Sequence, residues 1–155
     1  RPHRYPGGAE AHQPAALEHA GYFSTPLPKE SREPSKTALV DPYDPRHELE
    51  RRARSYLHAN CSHCHRKWGG GNAEFILLAS LPLKETGTVG VRPGQGLFDL
   101  NDPKVLVPGR PDRSMVLHRM KKTGLGRMPH IASNIIDAEA VELIERWIRE
   151  LPAAQ

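Results

Sequence analysis

Hydrophobic positions first recur with helical spacing in the segment "DPRHELERRARSYLHAN". They follow the i, i+4, i+7 and i+8 pattern of one helix face at Leu49, Ala53, Tyr56 and Leu57. Asp44 is expected to cap this helix, because its carboxylate can accept hydrogen bonds from the free N–H groups of a first turn, and Pro45 suits that turn. The pattern predicts an amphipathic helix that runs into a cysteine-containing segment, residues 60–68.

A second apolar stripe lies near the C-terminus. Its positions are Val141, Ile144, Ile148 and Leu151, broadened by Ala140 and Trp147. Asp137 is expected to cap this helix, and Pro152 ends it. Glu139 lies in the first turn, where the helix dipole favours negative charge. The apolar stripe, the capping residue and the terminating proline all predict the same helix, so this is the best-marked element of the chain.

Glycine and proline dominate the chain between these two helices. They punctuate residues 69–111, which predicts a long loop region with at most short strands, such as residues 88–91. A short helix is expected in "PDRSMVLHRMKK", with Val116, Leu117 and Met120 facing inward, and "GLGRMPHIASN" is loop again. The sequence thus predicts about three helices wrapped by irregular chain.

Proline also sets the N-terminal segment apart. Eight of the 15 prolines fall within the first 45 residues, so this stretch cannot sustain a long helix or a central strand. We interpret residues 1–43 as a Pro-rich arm or linker and residues 44–155 as the domain. Whether the arm is disordered or packed on the domain stays open at this point.

The composition adds limits on class and partners. Hydrophobic residues make up 37% and charged residues 26% of 155 residues, as in one soluble domain with a modest core. The longest apolar run, residues 75–79, is too short to span a bilayer. The chain does not begin with Met, so we expect a processed or excised piece whose export signal is missing. A net charge of +4 with interleaved acids argues against nucleic-acid binding and suits an acidic protein partner.

Both cysteines lie in "NCSHCHRKW", for which three interpretations compete. A thioredoxin-like redox pair should follow a strand in a βαβ pattern, whereas a helix is predicted here. Zinc needs two more donors, and His118 and His130 are separated by more than the gap of about three to five residues in familiar sites. Covalent haem attachment through C-x-x-C-H needs no further cysteine and uses both that the chain has.

Haem attachment therefore explains the motif best. Cys61 and Cys64 would form thioethers with the two vinyl groups of one porphyrin, and His65 would become the proximal iron ligand. A chain with this much irregular backbone also needs something to organise its core, which a large apolar cofactor would supply. One covalent haem c is the predicted cofactor.

The second axial ligand is predicted to be Met128 in the loop "GLGRMPH". Gly126 lets the backbone come close to a porphyrin, and Pro129 stiffens the other side. Met115 and Met120 belong to the predicted short helix, where a core role is expected because Met readily fills gaps. The alternative ligands are His130 and His118.

The motifs "YLHANCSHCH", "MPH" and "ELIERWIREL" resemble those of a class I c-type cytochrome. Over residues 37–151, "ARSYLHANCSHCHR", "LPLKETGTVG", "VLVPGRPDRSMVLHRM" and "RMPHIAS" resemble a single-haem domain at the C-terminal end of larger exported bacterial proteins of the sugar-dehydrogenase type. The resemblance implies an all-α fold, in which cytochrome c-like helices surround one covalent haem with long irregular loops. It also implies that a methionine loop closes the distal face of the haem.

Secondary contacts to the haem are expected from the middle of the chain. Arg92 and Arg127 are candidate donors to the haem propionates, together with Lys84 and Gln95. The pocket is expected to be lined by Leu81, Leu83 and Phe98.

The function predicted from these features is electron transfer by a domain that is not itself an enzyme. It would take electrons from a redox partner protein or a fused dehydrogenase domain. The alternatives are a haem enzyme or ligand sensor, in which Met128 is labile or absent from the iron, and a structural module without haem. Because covalent haem attachment takes place outside the bacterial cytoplasm, a periplasmic or otherwise exported location is expected. The sequence makes no prediction of oligomeric state.

Overall fold

The computed structural model describes residues 2–28 and 38–152. Its contacts divide the chain into two compact units, residues 1–38 and 39–155. The boundary that the sequence suggests between residues 43 and 44 stays a prediction, and the part of the arm at residues 29–37 lies outside the described residues.

The first unit contains a small antiparallel sheet. Strand β1 (Pro2–Arg4) pairs with β2 (Glu10–His12), and helix α1 (Gln13–His19) follows β2 directly. The connecting turn places Gly7 and Gly8 at φ values of 93° and 85°, which glycine adopts without the strain that a Cβ would cause. Two adjacent glycines therefore allow the chain to reverse within this short segment.

The prediction of an all-α fold is wrong. Helix accounts for about 32% and strand for 6% of the structure, so the described residues form a mixed and irregular fold with four α-helices and a two-stranded sheet. The proline-rich segment also contains a helix. Pro14 lies in the first turn of α1, where the missing N–H is not needed, so a short helix forms between the prolines.

Three helices organise the second unit: α2 (Leu49–Cys61), α3 (Met115–Met120) and α4 (Ala138–Glu150). Helices α2 and α4 pack against each other and α3 packs against α4. The core consists of Ala53, Leu57, Leu77, Leu106, Leu117, Leu143, Ile144, Trp147 and Ile148. The apolar stripe predicted for the C-terminal helix is confirmed at Ala140, Ile144, Trp147 and Ile148, all buried. None of the described helices is long and apolar enough to cross a membrane.

Helix α2 begins later than the sequence suggested. Its N-cap residue is Glu48, which makes no side-chain capping bond, so the predicted cap at Asp44 is wrong. The Asp44 carboxylate accepts instead from the Arg46 backbone N–H (3.0 Å) and from the Arg46 guanidinium (2.6 Å at Nη2). This contact holds the pKa of the Asp44 carboxyl well below its ordinary value and keeps Asp44 in a turn before the helix.

The connection from α2 to α3 is irregular, with two single 3-10 turns, Leu83–Glu85 and Pro111–Arg113. The strand suggested for residues 88–91 is only one isolated bridge, between Val89 and Leu106. In this connection, buried hydroxyl groups rather than paired strands provide hydrogen-bond partners for the backbone. Ser114, fully buried, donates to the Arg110 carbonyl (2.9 Å) and accepts from the Val107 N–H (2.9 Å), which satisfies backbone groups that no strand pairs.

The predicted cap of α4 is confirmed: Asp137 accepts from the Ala140 N–H (3.0 Å) and also from the Tyr43 hydroxyl (2.6 Å).

We expect Asp137→Ala to lower the free energy of unfolding by about 1–2 kcal/mol, because both bonds are lost and a helix N–H is left without its acceptor. Urea denaturation followed by circular dichroism measures this. Glu142→Ala, an exposed change on the same helix, is the control, and equal stability of both variants would contradict the prediction.

Candidate functional site

The cysteine motif forms the end of α2 and the turn that follows it. Cys61 is the last residue of the helix. Its carbonyl accepts from the N–H groups of Cys64 (3.1 Å) and His65 (2.9 Å), which continue the helical path by one more turn. The two thiols and the imidazole are therefore attached to one compact stretch of backbone.

The two thiols are not joined to each other. Cys61 and Cys64 are both free, and each is partly or mostly buried. Burial, with the neighbouring Cys64 adding to it, raises the pKa of the Cys61 thiol to about 12. A redox-active pair needs a thiol whose pKa is lowered, so the raised pKa of Cys61 disfavours the thioredoxin-like interpretation.

The imidazole of His65 is held beneath an aromatic ring. It stacks on Phe75 with ring centroids 4.4 Å apart and planes within 10°. Burial lowers the pKa of His65, and the charges of His63, His130 and Arg119 lower it further. The neutral imidazole that results is the form that binds metals. The buried Nδ1 atom has no hydrogen-bond partner, an arrangement that is costly unless something else satisfies the ring.

A tight glycine-rich turn supports the motif from the C-terminal side. The Gly71 N–H donates to the Cys64 carbonyl (3.2 Å), and a Cβ on Gly69 would collide with that same oxygen. The Leu77 N–H donates to the His65 carbonyl (2.8 Å). Residues 69–77 thus fold back on the motif and fix its backbone, for which only glycine fits at position 69.

Helix α2 also holds the next loop through two polar side chains that the sequence analysis missed. The buried Arg54 donates to the carbonyls of Leu78 (3.0 Å) and Leu81. The Nδ1 atom of His58 accepts from the Ala79 N–H (3.0 Å). Nothing in the local pattern marks either side chain, because the acceptors and the donor belong to backbone more than 20 residues away.

The loop between α3 and α4 carries Met128, which is half-buried. Its N–H donates to the Arg119 carbonyl (3.1 Å) at the end of α3. Charges at the end of α3 (Arg119) and on this loop (His130) both lower the pKa of His65. Met115, 3% exposed, and Met120 pack on the hydrophobic core, which confirms the core role expected for both.

The histidines that compete with Met128 are placed differently from each other. His130 is exposed. His118 has a buried Nε2 atom without a partner, and its ring centroid lies 5.2 Å from that of Phe98. Burial, with the charges of Lys122 and Arg119, lowers the pKa of His118. Assignment of the second ligand to Met128 stays a prediction.

The side chains suggested for the haem propionates lie in different surroundings. Arg92 and Lys84 are exposed. Arg127 donates to groups of its own loop, and the backbone carbonyl of Gln95 accepts from Arg119. Phe98 lies under the Arg119 guanidinium, with the Cζ atom 4.7 Å from the ring centroid. Propionate contacts at Arg92 and Arg127 stay predictions.

Taken together, these side chains fit a covalently attached haem. The thiols are free, the adjacent imidazole is driven to its neutral form, and one of its nitrogen atoms is buried without a partner. Among the described residues, no group of three or more His, Cys, Asp or Glu side chains is placed to hold a metal ion, so zinc gains no support.

No family model, curated protein or solved structure matches this chain.

Proposed function

We propose that this chain is an electron-transfer domain that carries one covalently bound haem c. The observation that supports it most strongly is the C-x-x-C-H turn at the end of α2, with two unbridged thiols and a buried, unpartnered His65 nitrogen. The spacing alone suggests haem attachment, and the absence of a disulfide between the thiols leaves them free for it.

In this proposal Cys61 and Cys64 hold the porphyrin, and His65 and Met128 are the axial ligands. The bound group supplies reversible one-electron chemistry between ferric and ferrous iron. The chain supplies the rest. With His65 and Met128 as ligands, the iron would have no open position for oxygen, and the sulfur would raise the reduction potential relative to a second imidazole.

The surrounding structure keeps the attachment turn fixed. Arg54 and His58 anchor residues 78–81 to α2, while α4 packs along the same helix. A rigid surround favours rapid electron transfer, because little has to rearrange when the charge of the site changes. These contacts support a carrier.

The electron donor that we propose is a dehydrogenase, either a separate protein or a domain of the same polypeptide. A net charge of +4 favours association with an acidic partner. Since c-type haem is attached outside the bacterial cytoplasm, we propose that the domain works in the periplasm or is otherwise exported.

The proposal is tested by exporting the chain to the periplasm of a bacterial host that has haem-attachment machinery. We expect haem that remains on the polypeptide under denaturing conditions, and a reversible change between oxidised and reduced spectra. The reduced protein should not bind carbon monoxide. Rapid carbon monoxide binding would favour the haem enzyme or sensor, and a colourless product would favour a module without haem.

A further inference from the structure

We propose that Arg127 and Arg119 are positioning residues that hold the Met128 loop in one shape, so that the sulfur is presented to the iron and rival ligands are kept off. The proposal rests on the proposed function, because it concerns how the second axial ligand is held. It extends that function by assigning to Arg127 a role other than contact with a propionate.

Arg127 ties together the two ends of the loop. Its guanidinium donates to the Ser133 hydroxyl (3.0 Å at Nε), to the His130 carbonyl (2.8 Å) and to the Gly124 carbonyl (3.4 Å). The Ser133 hydroxyl in turn donates to the Pro129 carbonyl. One side chain thus connects residues on both sides of Met128, within a segment of the described chain that has no helix or strand of its own.

Arg119 joins the same loop to the rest of the unit. One guanidinium nitrogen donates to the Gly126 carbonyl (3.0 Å) and the other to the Gln95 carbonyl. Its own carbonyl accepts from the Met128 N–H (3.1 Å). The guanidinium also lies over the Phe98 ring, with 4.7 Å between Cζ and the ring centroid, a favourable cation–π distance.

Only a guanidinium can make these connections. It presents five N–H donors in a rigid plane, so that one side chain can reach acceptors in different directions, whereas lysine is a single point charge. All the acceptors except Ser133 are backbone carbonyls of irregular segments. Such carbonyls have no ladder partners, and the two arginines satisfy them where strands or helices otherwise would.

The consequence concerns ligand exchange. An external ligand can replace the Met128 sulfur only if the loop moves away, which breaks the bonds of Arg127 and Arg119. The apparent affinity for that ligand is reduced by the cost of this opening. If the hydrogen bonds of Arg127 and Arg119 are weakened, a competing ligand should therefore bind more tightly, even when the rest of the domain is unchanged.

The experiment uses the haem-containing protein and imidazole as the competing ligand. In Arg127→Lys we expect imidazole to bind ferric protein about tenfold more tightly than in the wild type, the size expected for one or two lost hydrogen bonds. In Ser133→Ala we expect a change of about threefold, because the bonds of the Ser133 hydroxyl to Arg127 and Pro129 are lost while the bonds of Arg127 to two backbone carbonyls remain. The near-infrared sulfur-to-iron band should persist in both variants without imidazole.

Arg146→Lys is the matched control. Arg146 lies exposed on α4 and pairs only with Glu150 among the described contacts (2.8 Å), so imidazole affinity should stay within about twofold of the wild type. Urea denaturation of every variant separates a local effect from a general loss of stability. If Arg127→Lys fails to fold, Ser133→Ala decides the question.

Two outcomes overturn the proposal while the proposed function stands. The first is unchanged imidazole affinity in both variants, including the case in which only global stability falls. The second is a wild type that carries covalent haem without the sulfur-to-iron band, since Met128 would then not be the ligand. A colourless wild type overturns this proposal together with the proposed function.

Discussion

Replacing both Cys61 and Cys64 with serine will leave the chain without covalently bound haem. A serine hydroxyl does not form the thioether bonds that the thiols are proposed to make. We also expect a large loss of folded protein, because the second unit joins its helices by long irregular segments around a small core of buried apolar residues. Mass spectrometry under denaturing conditions measures the attachment, and circular dichroism measures the loss of helix.

The matched control for this change lies inside the motif itself. His63 is exposed, between the two cysteines, and has no role in the proposed attachment. His63→Ala should therefore keep the haem in full. If the double serine variant still carries covalent haem, then the thiols do not have the role that we propose for them. If it loses the haem but folds as well as the wild type, then the expected contribution of the haem to folding is wrong.

The helices of the second unit were largely predictable because local and global signals agree there. Helix α4 has a capping aspartate, a broad apolar stripe and a terminating proline, and the structure uses all three. For α2 the apolar spacing predicted the body of the helix but not its start. Asp44 is a good cap by residue type, yet Arg46 two residues later captures its carboxylate in a turn.

The sheet of the first unit escaped prediction for a different reason. Each strand has three residues, too few for an alternating pattern to show, and prolines flank them. The adjacent Gly7 and Gly8 were the available signal, since a glycine pair between short segments favours a hairpin. Proline content outweighed that signal and led to the expectation of an arm or linker without a sheet.

At the candidate site, the attachment motif could be found from spacing alone, whereas its supports could not. Arg54, Arg119 and Arg127 are ordinary arginines in the sequence. Each donates to carbonyls of irregular backbone, and those of Arg54 lie 24 and 27 residues along the chain. Backbone carbonyls are the same in every residue, so no residue type marks the acceptor, and only the three-dimensional structure shows the pairing.

Replacing Met128 with alanine will abolish the near-infrared sulfur-to-iron band and leave the haem covalently attached. The attachment depends on Cys61 and Cys64, which the change does not touch, whereas the band requires a methionine sulfur on ferric iron. The reduction potential should fall, because the sulfur ligand that favours ferrous iron is gone. The reduced variant should bind carbon monoxide rapidly, since alanine leaves one axial position open.

The other two methionines provide the controls. Met115 and Met120 pack on the core, so leucine, which has a similar volume, should replace either of them at a cost of less than about 1.5 kcal/mol in unfolding free energy and with no loss of the band. Should the band survive in Met128→Ala and disappear in Met120→Leu or Met115→Leu, the wrong sulfur has been assigned. Should the wild type show no band at all, a nitrogen ligand becomes the better assignment. His118, with its buried and unpartnered Nε2 atom, would then be the first residue to replace.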